Sequence, residues 1–152
     1  IEMNVGELAS ETVLWTSREK TLLEAAEMMR EAHVGDLVVI EKTDDRKKPI
    51  GILTDRDIVI YAAEHGPDAL TGHTVSDAMS EVLILARGED PVEEILSNMR
   101  ANGVRRVPIV DRHDNLTGIL AFDDLVRYFG EQVTKLAEVV DAEIREEISG
   151  HS

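Results

Sequence analysis

The chain of 152 residues contains no cysteine. Disulfides, thiolate zinc sites and cysteine nucleophiles are thereby excluded, and a reducing cytoplasm is the expected setting. Aromatic residues are scarce, with two Phe, two Tyr and one Trp. That is too few for a platform on which the bases of a nucleic-acid strand stack. Positive charge is in deficit: 16 Lys and Arg face 31 Asp and Glu, for a formal net charge of −15. Phosphate neutralisation dominates affinity for nucleic acid and anionic lipid, so neither is an expected partner. No apolar run approaches the ~18 residues of a membrane-spanning helix, and nothing at the start reads as a signal peptide. A small anion remains open to so acidic a chain, because a few local cations and backbone N–H groups outweigh a distant net charge.

What is present is an ordinary globular mixture, 43% hydrophobic and 31% charged, in a length that suits one compact domain or two half-size units sharing a core. The second arrangement is written into the chain. Shifted by 70 residues, Val5–Glu11 falls on Val75–Glu81, "TLLEAAEMMR" (21–30) on "PVEEILSNMR" (91–100), and "VGDLVVI" (34–40) on "VRRVPIV" (104–110). The shift drops to 67 where "GILTDRD" (51–57) meets "GILAFDD" (118–124), because the first copy carries a longer loop, "EKTDDRKKP", against "DRHDNLT". Segments in the same order, differing by a loop, are a duplication.

Each copy opens on a short β-like run, Val13–Trp15 or Val82–Leu85. A helix follows, with apolar positions Leu22, Ala25, Ala26 and Met29, or Val92, Ile95, Leu96 and Met99. Pro91 suits a first helical turn. Next come a buried strand (Leu37–Ile40; Val107–Val110), a polar turn, a strand ending in Gly-Ile-Leu, and a second helix. The expected fold is α+β, a mixed α/β architecture of two β-α-β-β-α repeats, each too small to bury a helix-covered sheet alone. "HGPDALTGHT" (65–74) reads as the connector. Around and beyond Gly130, Phe129, Val133, Leu136, Val140 and Ile144 line one face of a charged helix that belongs to neither repeat. It packs on its own domain, packs on a second subunit, or frays. The expected division is residues 1–66, 67–130 and 131–152.

Two readings of "GILTDRD" compete. Thr54 is a good helix N-cap, and Thr54-x-x-Asp57 matches a capping box. The same helix N-terminus presents unpaired N–H groups and partial positive charge, a natural seat for phosphate. Thr54 adds a hydroxyl donor, and Asp57 can accept hydrogen bonds from a cis-diol such as a ribose. Phosphate donors and a diol acceptor within one turn suit a nucleotide.

The duplicated unit, with Gly-Ile-Leu-Thr-Asp-Arg-Asp and Gly-Ile-Leu-Ala-Phe-Asp-Asp opening the last helix of each copy, resembles a tandem pair of CBS domains (a Bateman module) from about Val5 to Phe129. The resemblance implies a standalone bacterial or archaeal protein, paired repeats related by a pseudo-two-fold axis, and two clefts that take adenosine compounds: AMP, ADP, ATP, NAD or S-adenosylmethionine, AMP foremost. In the first cleft it implies Thr54 for phosphate and Asp57 for ribose, Val82 and Ile84 flanking the base, and Val104 and Arg105 facing them. Arg105 reads equally as a phosphate cation or, with Arg106, as a solvated or dimer-facing pair. The second cleft would use Asp124, Thr12, Leu14, Val34 and Gly35. There Ala121 replaces the hydroxyl, a loss of about 1.5–3 kcal/mol toward a charged oxygen, so a weaker or empty site is expected. Trp15, near that wall, is expected in the core.

The five histidines, at 33, 65, 73, 113 and 151, lack ligand spacing, and His113 reads as a turn residue. Asp44-Asp45 lies among basic loop residues, and Asp123-Asp124 opens a helix where acids are welcome. No metal and no catalytic activity are therefore expected. Two functions remain: an adenosine-compound sensor that signals its occupancy to an effector protein, or a contact module whose Thr54 and Asp57 only cap a helix. The resemblance implies homodimers in either case.

Overall fold

The computed structural model describes residues 3–82 and 84–150. Leu83, within one expected strand, and His151 lie outside the described residues. The first repeat contains α1 (Val5–Leu8), β1 (Trp15–Ser17), α2 (Leu22–Ala32), β2 (Asp36–Thr43), β3 (Arg46–Thr54) and α3 (Asp55–His65). After α4 (Ala69–Gly72), the second contains α5 (Val75–Ala78), β4 (Ser80–Glu81), β5 (Ala86–Arg87), α6 (Val92–Asn102), β6 (Arg106–Val110) and β7 (Leu116–Ala121), and α7 runs from Phe122 to Gly150. The β-α-β-β-α order is present in both copies, in a mixed α/β fold with one sheet ordered β1-β2-β3-β4 and another β5-β6-β7.

Local chemistry explains the helices. Thr21 caps α2 by accepting from the Glu24 N–H at 3.1 Å, and Leu22, Ala25 and Met29 at helical spacing are its buried stripe. Val92, Ile95 and Met99 repeat that stripe in α6. Both helices end left-handed, at Gly103 (φ 63°) and at its counterpart His33 (φ 56°), which lacks glycine's freedom there. The first core joins α2 to Leu37, Val39, Leu53, Ile58 and Val75. Ala86, Val107, Ile109, Val110 and Leu120 are the buried hydrophobic strand residues of the second sheet.

The repeats are interlocked. Val5 N–H donates to Asp90 O at 2.8 Å and Val75 N–H to Lys20 O at 2.8 Å; Gly6 donates to Gly88 O and Ser76 to Arg18 O. Each pair is one contact applied twice with a shift of 70, so the start of each repeat is tied to the other repeat. Ser80 and Glu81 then pair antiparallel with Ile52 and Gly51, while Ser10 bridges Ile119. The duplicated glycines make room for these crossings. A Cβ on Gly51 would lie 2.8 Å from the Ser80 carbonyl oxygen, and one on Gly118 would lie 2.7 Å from that of Ser10.

Four expectations change. The "EKTDDRKKP" loop is mostly strand: β2 and β3 extend as a hairpin arm turning at Asp44-Asp45, with Glu41 opposite Lys48. Lys47 pins the arm by donating its N–H to Asn115 Oδ1 at 2.8 Å. Trp15 is half-buried rather than core, because Lys47 Nζ lies 4.7 Å from its ring centre and Lys42 Nζ 6.0 Å. The 65–74 connector contains α4 and leads into α5, whose Thr74–Asp77 capping box holds the Asp77 carboxyl below its ordinary range, chiefly through the Thr74 N–H. The helix expected after Gly130 is continuous with the one Phe122 opens. Gly130, the one interior glycine of this 29-residue helix, costs about 1 kcal/mol without breaking it.

Residues from Ala121 onward form a separate compact unit. Within it Asp124 Oδ2 accepts from the Ala121 N–H at 3.1 Å, and Arg127 approaches Asp124 at 3.7 Å.

Candidate functional site

The end of β3 and the start of α3 hold the first motif. Thr54 Oγ1 accepts from the Asp57 N–H at 3.1 Å, and Asp57 Oδ2 accepts from the Thr54 N–H at 2.9 Å, a complete capping box. Each side chain keeps capacity: Thr54 retains its hydroxyl proton, and Asp57 its second oxygen. Because β2 and β3 are antiparallel with Asp36 opposite Thr54, the start of β2 lies against this corner. Gly35 O accepts from the Asp55 N–H at 2.9 Å, and a Cβ at Gly35 would approach the Asp55 carboxylate to 3.2 Å. Gly35, anticipated in the second cleft, is thus placed beside Thr54.

Val82, Ile84, Val104 and Arg105 come together as walls of one cavity of about 150 Å³, completed by Ile52, Glu81, Arg106 and Pro108. Apolar sides and a guanidinium edge suit a flat heterocycle with an anionic substituent. Thr54 and Asp57 are not in this lining. The register explains why: Gly51 pairs with Glu81, and Val82 N–H donates to Ile50 O at 3.1 Å, so Val82 lies about four strand residues, ~13 Å, from Thr54. Arg106, on the cavity wall, links it to the strand beside the Thr54 corner: its Nε donates to Asp36 Oδ2 across the two repeats, and Asp36 lies opposite Thr54. In sequence Arg106 reads only as half of a solvated or dimer-facing pair with Arg105, whereas it is partly buried and bonded to Asp36 of the other repeat. Ile52 and Pro108 carried no signal, since their role depends on strand register.

Next to the cavity, and sharing Glu81, Val82 and Ile84 with it, is an open groove of about 530 Å³ that adds Arg18, Lys48 and Ile50. A separate cavity of about 360 Å³ holds Ala9, Ser10, Glu11, Gly88, Thr117 and Gly118. Shifted by 70, Gly88 replaces Arg18; at the hairpin shift of 67, Thr117 replaces Ile50. The two ends of the pair therefore differ in cationic lining as well as in the hydroxyl of Thr54.

Of the residues anticipated in the second cleft, Leu14 and Val34 pack against the first core. Thr12 is exposed, with its carbonyl accepting from Ser10 Oγ at 3.2 Å. Asp124 lies in the C-terminal unit. His113 sits in the β6–β7 turn, where its N–H and that of Asn115 donate to Asp111 Oδ1 and hold the Asp111 carboxyl below its ordinary range, Asn115 contributing most. Among the described residues no group of three or more His, Asp or Glu could hold a metal ion, and no helix is long and apolar enough to cross a membrane.

Two half-size β-α-β-β-α units that exchange their first residues, with cavities where they meet, define a tandem-repeat module. The chain belongs to the CBS-domain family, whose CBS domain model matches it twice, over residues 5–64 and 75–131. It is 35% identical over 127 residues to an uncharacterised protein of Methanopyrus kandleri, covering 82% of this chain but only 62% of that protein. It is 34% identical over 129 residues to hypoxic response protein 1 of Mycobacterium tuberculosis, covering 85% and 82%. Among solved structures, one of hypoxic response protein I with two coordinated zinc ions matches with a TM-score of 0.67 at 32% identity, covering 82% of this chain and 98% of that one. The CBS domain pair of protein MJ0100, in complex with 5′-methylthioadenosine and S-adenosyl-L-methionine, shares the fold with a TM-score of 0.73 at 23% identity, covering 87% and 99%.

Proposed function

We propose that this protein is a regulatory module, without catalytic activity of its own, that binds an adenosine compound between its two CBS repeats and transmits occupancy to an effector protein. The observation that carries the reading is the cavity where Val82, Ile84, Val104 and Arg105 converge. The base lies among the apolar walls. The remainder runs toward the Thr54 corner, where the hydroxyl and helix N-terminus receive phosphate and Asp57 the ribose diol. AMP is the leading candidate; ADP, ATP, NAD and S-adenosylmethionine share its adenosine, and the MJ0100 pair is a relative in fold that holds compounds of this class. The second cleft, with Ala121 at the hydroxyl position, binds more weakly. The module works as a homodimer in the cytoplasm, its repeats dividing near residues 66 and 130. A crystallised CBS-CP12 protein of similar fold is hexameric, which supports self-assembly.

Signalling requires that the ligand bind one arrangement of the repeats better than another. Arg106–Asp36, an ion pair joining the repeats beside the cavity, is the contact a bound phosphate would redistribute. A second reading, a contact module in which Thr54 and Asp57 only cap α3, is favoured by the capping box being complete.

Calorimetric titration with AMP, ATP, NAD and S-adenosylmethionine separates the two. Under the sensor reading at least one binds below millimolar, and Arg105→Met and Asp57→Ala each weaken it about ten- to hundredfold, the equivalent of 1.5–3 kcal/mol per charged hydrogen bond. No heat from any of the four at millimolar concentration would leave only the contact reading.

A further inference from the structure

The outward stripe of α7 has no role in the cleft. Phe122, Val126, Phe129, Val133, Leu136 and Val140 are each 39–66% exposed. Their spacing alternates four and three residues, the repeat of a helix seam rather than of random surface apolarity. It places valine at every position of one register, 126, 133 and 140, and Phe, Phe and Leu at the other, 122, 129 and 136. β-Branched residues in the first register with leucine in the second favour two parallel strands, a rule met in full at Leu136, while Phe122 and Phe129 supply larger apolar knobs to the same seam.

Charge arrangement names the same occupant. The chain carries −15, so two copies meet only where acids are kept aside. Past the first turn, where Asp123 flanks the stripe and Leu125 is buried in the chain's own fold, the flanking residues are Gly130, Gln132, Ala137 and Val139, all uncharged, and the two small ones permit close approach. Glu131, Glu138 and Asp141 lie on the outer face. Past Val140, Glu143 and Glu147 turn onto the stripe's own side and end it. At ~80 Å² of exposed apolar surface for each of six side chains, two copies would bury on the order of 1,000 Å², the size from which specific interfaces begin.

We infer that α7 pairs in parallel with α7 of a second copy, through Phe122 to Val140. This rests on the self-assembly part of the proposed function and assigns it to one surface. Sedimentation equilibrium of the full chain tests it. The wild type is expected at twice 16.9 kDa, and Leu136→Glu, which faces like charges across the seam at an exposed position, raises the dimer dissociation constant at least tenfold. Glu138→Gln, on the outer face, leaves it unchanged, and unaltered far-ultraviolet circular dichroism shows that the helix persists. Because the chain has no cysteine, Leu136→Cys in an otherwise native chain reports directly, by forming a disulfide-linked dimer on oxidation where Glu138→Cys does not. A dimer indifferent to Leu136→Glu, or one that fails to cross-link at position 136, overturns the α7 pairing while leaving self-assembly standing. A wild-type monomer overturns both.

Discussion

Substituting the motif glycines tests the interlock of the repeats. In Gly51→Ala the new methyl would sit 2.7 Å from Met79 Sδ and 2.8 Å from Ser80 O. The thioether can swing aside, but the carbonyl belongs to the β3–β4 pairing and moves only with the backbone. Overpacking of this kind costs about 1–3 kcal/mol, and the more restricted unfolded chain returns about 0.4–1 kcal/mol. The net loss is up to about 2.6 kcal/mol and centres near 1 kcal/mol, a fall of about 2–4 °C in Tm at that centre for a chain of this size. Gly118→Ala, whose closest neighbour is the backbone oxygen of Ser10, is expected to lose as much. Gly72→Ala is the control: nothing lies within 4 Å of its Cβ position, and it should gain about 0.4–1 kcal/mol. Urea unfolding at fixed protein concentration, followed through Trp15, the only tryptophan, measures all three. If Gly51→Ala were as stable as Gly72→Ala, the close strand crossing would not be the reason for that glycine.

Three other outcomes are expected. His33→Gly relieves a left-handed residue at the end of α2 and should raise stability by up to about 1 kcal/mol in the same assay. Asp111, held low by the Asn115 and His113 N–H groups, contributes stability that is complete above the ordinary aspartate pKa of about 3.9 and is lost as pH falls through its lower folded value; a carboxyl-carbon NMR midpoint at or above 3.9 would contradict this. Arg106→Met and Asp36→Asn, combined in a double-mutant cycle, should show a coupling of about 0.5–1 kcal/mol, modest because both side chains are about a third exposed, and weaker in 1 M salt.

The local geometry of the motif was legible in the residues. Thr54 with Asp57 offered two competing readings, a cap and a phosphate seat, and the cap is present. Ala121 declared the missing hydroxyl, and only the Asp124 half of that cap is found there. The placing of Gly35 was not legible, because its neighbour Asp55 is reached only through the β2–β3 register. Trp15 misled because hydrophobic size suggests burial, whereas two lysines from a distant hairpin arm cover its ring.

The sequence alone determined the duplication, the mixed α/β order of each copy and the inequality of the two motifs, because periodicity, turn formers and residue identity are local properties. Only the tertiary structure decided that the repeats exchange their first residues, that Val82 and Arg105 share a cavity while Thr54 stands a few residues along the strand, and that Arg106 reaches Asp36. Those facts depend on which strands pair and in what register, and pairing is settled by burial across the whole fold.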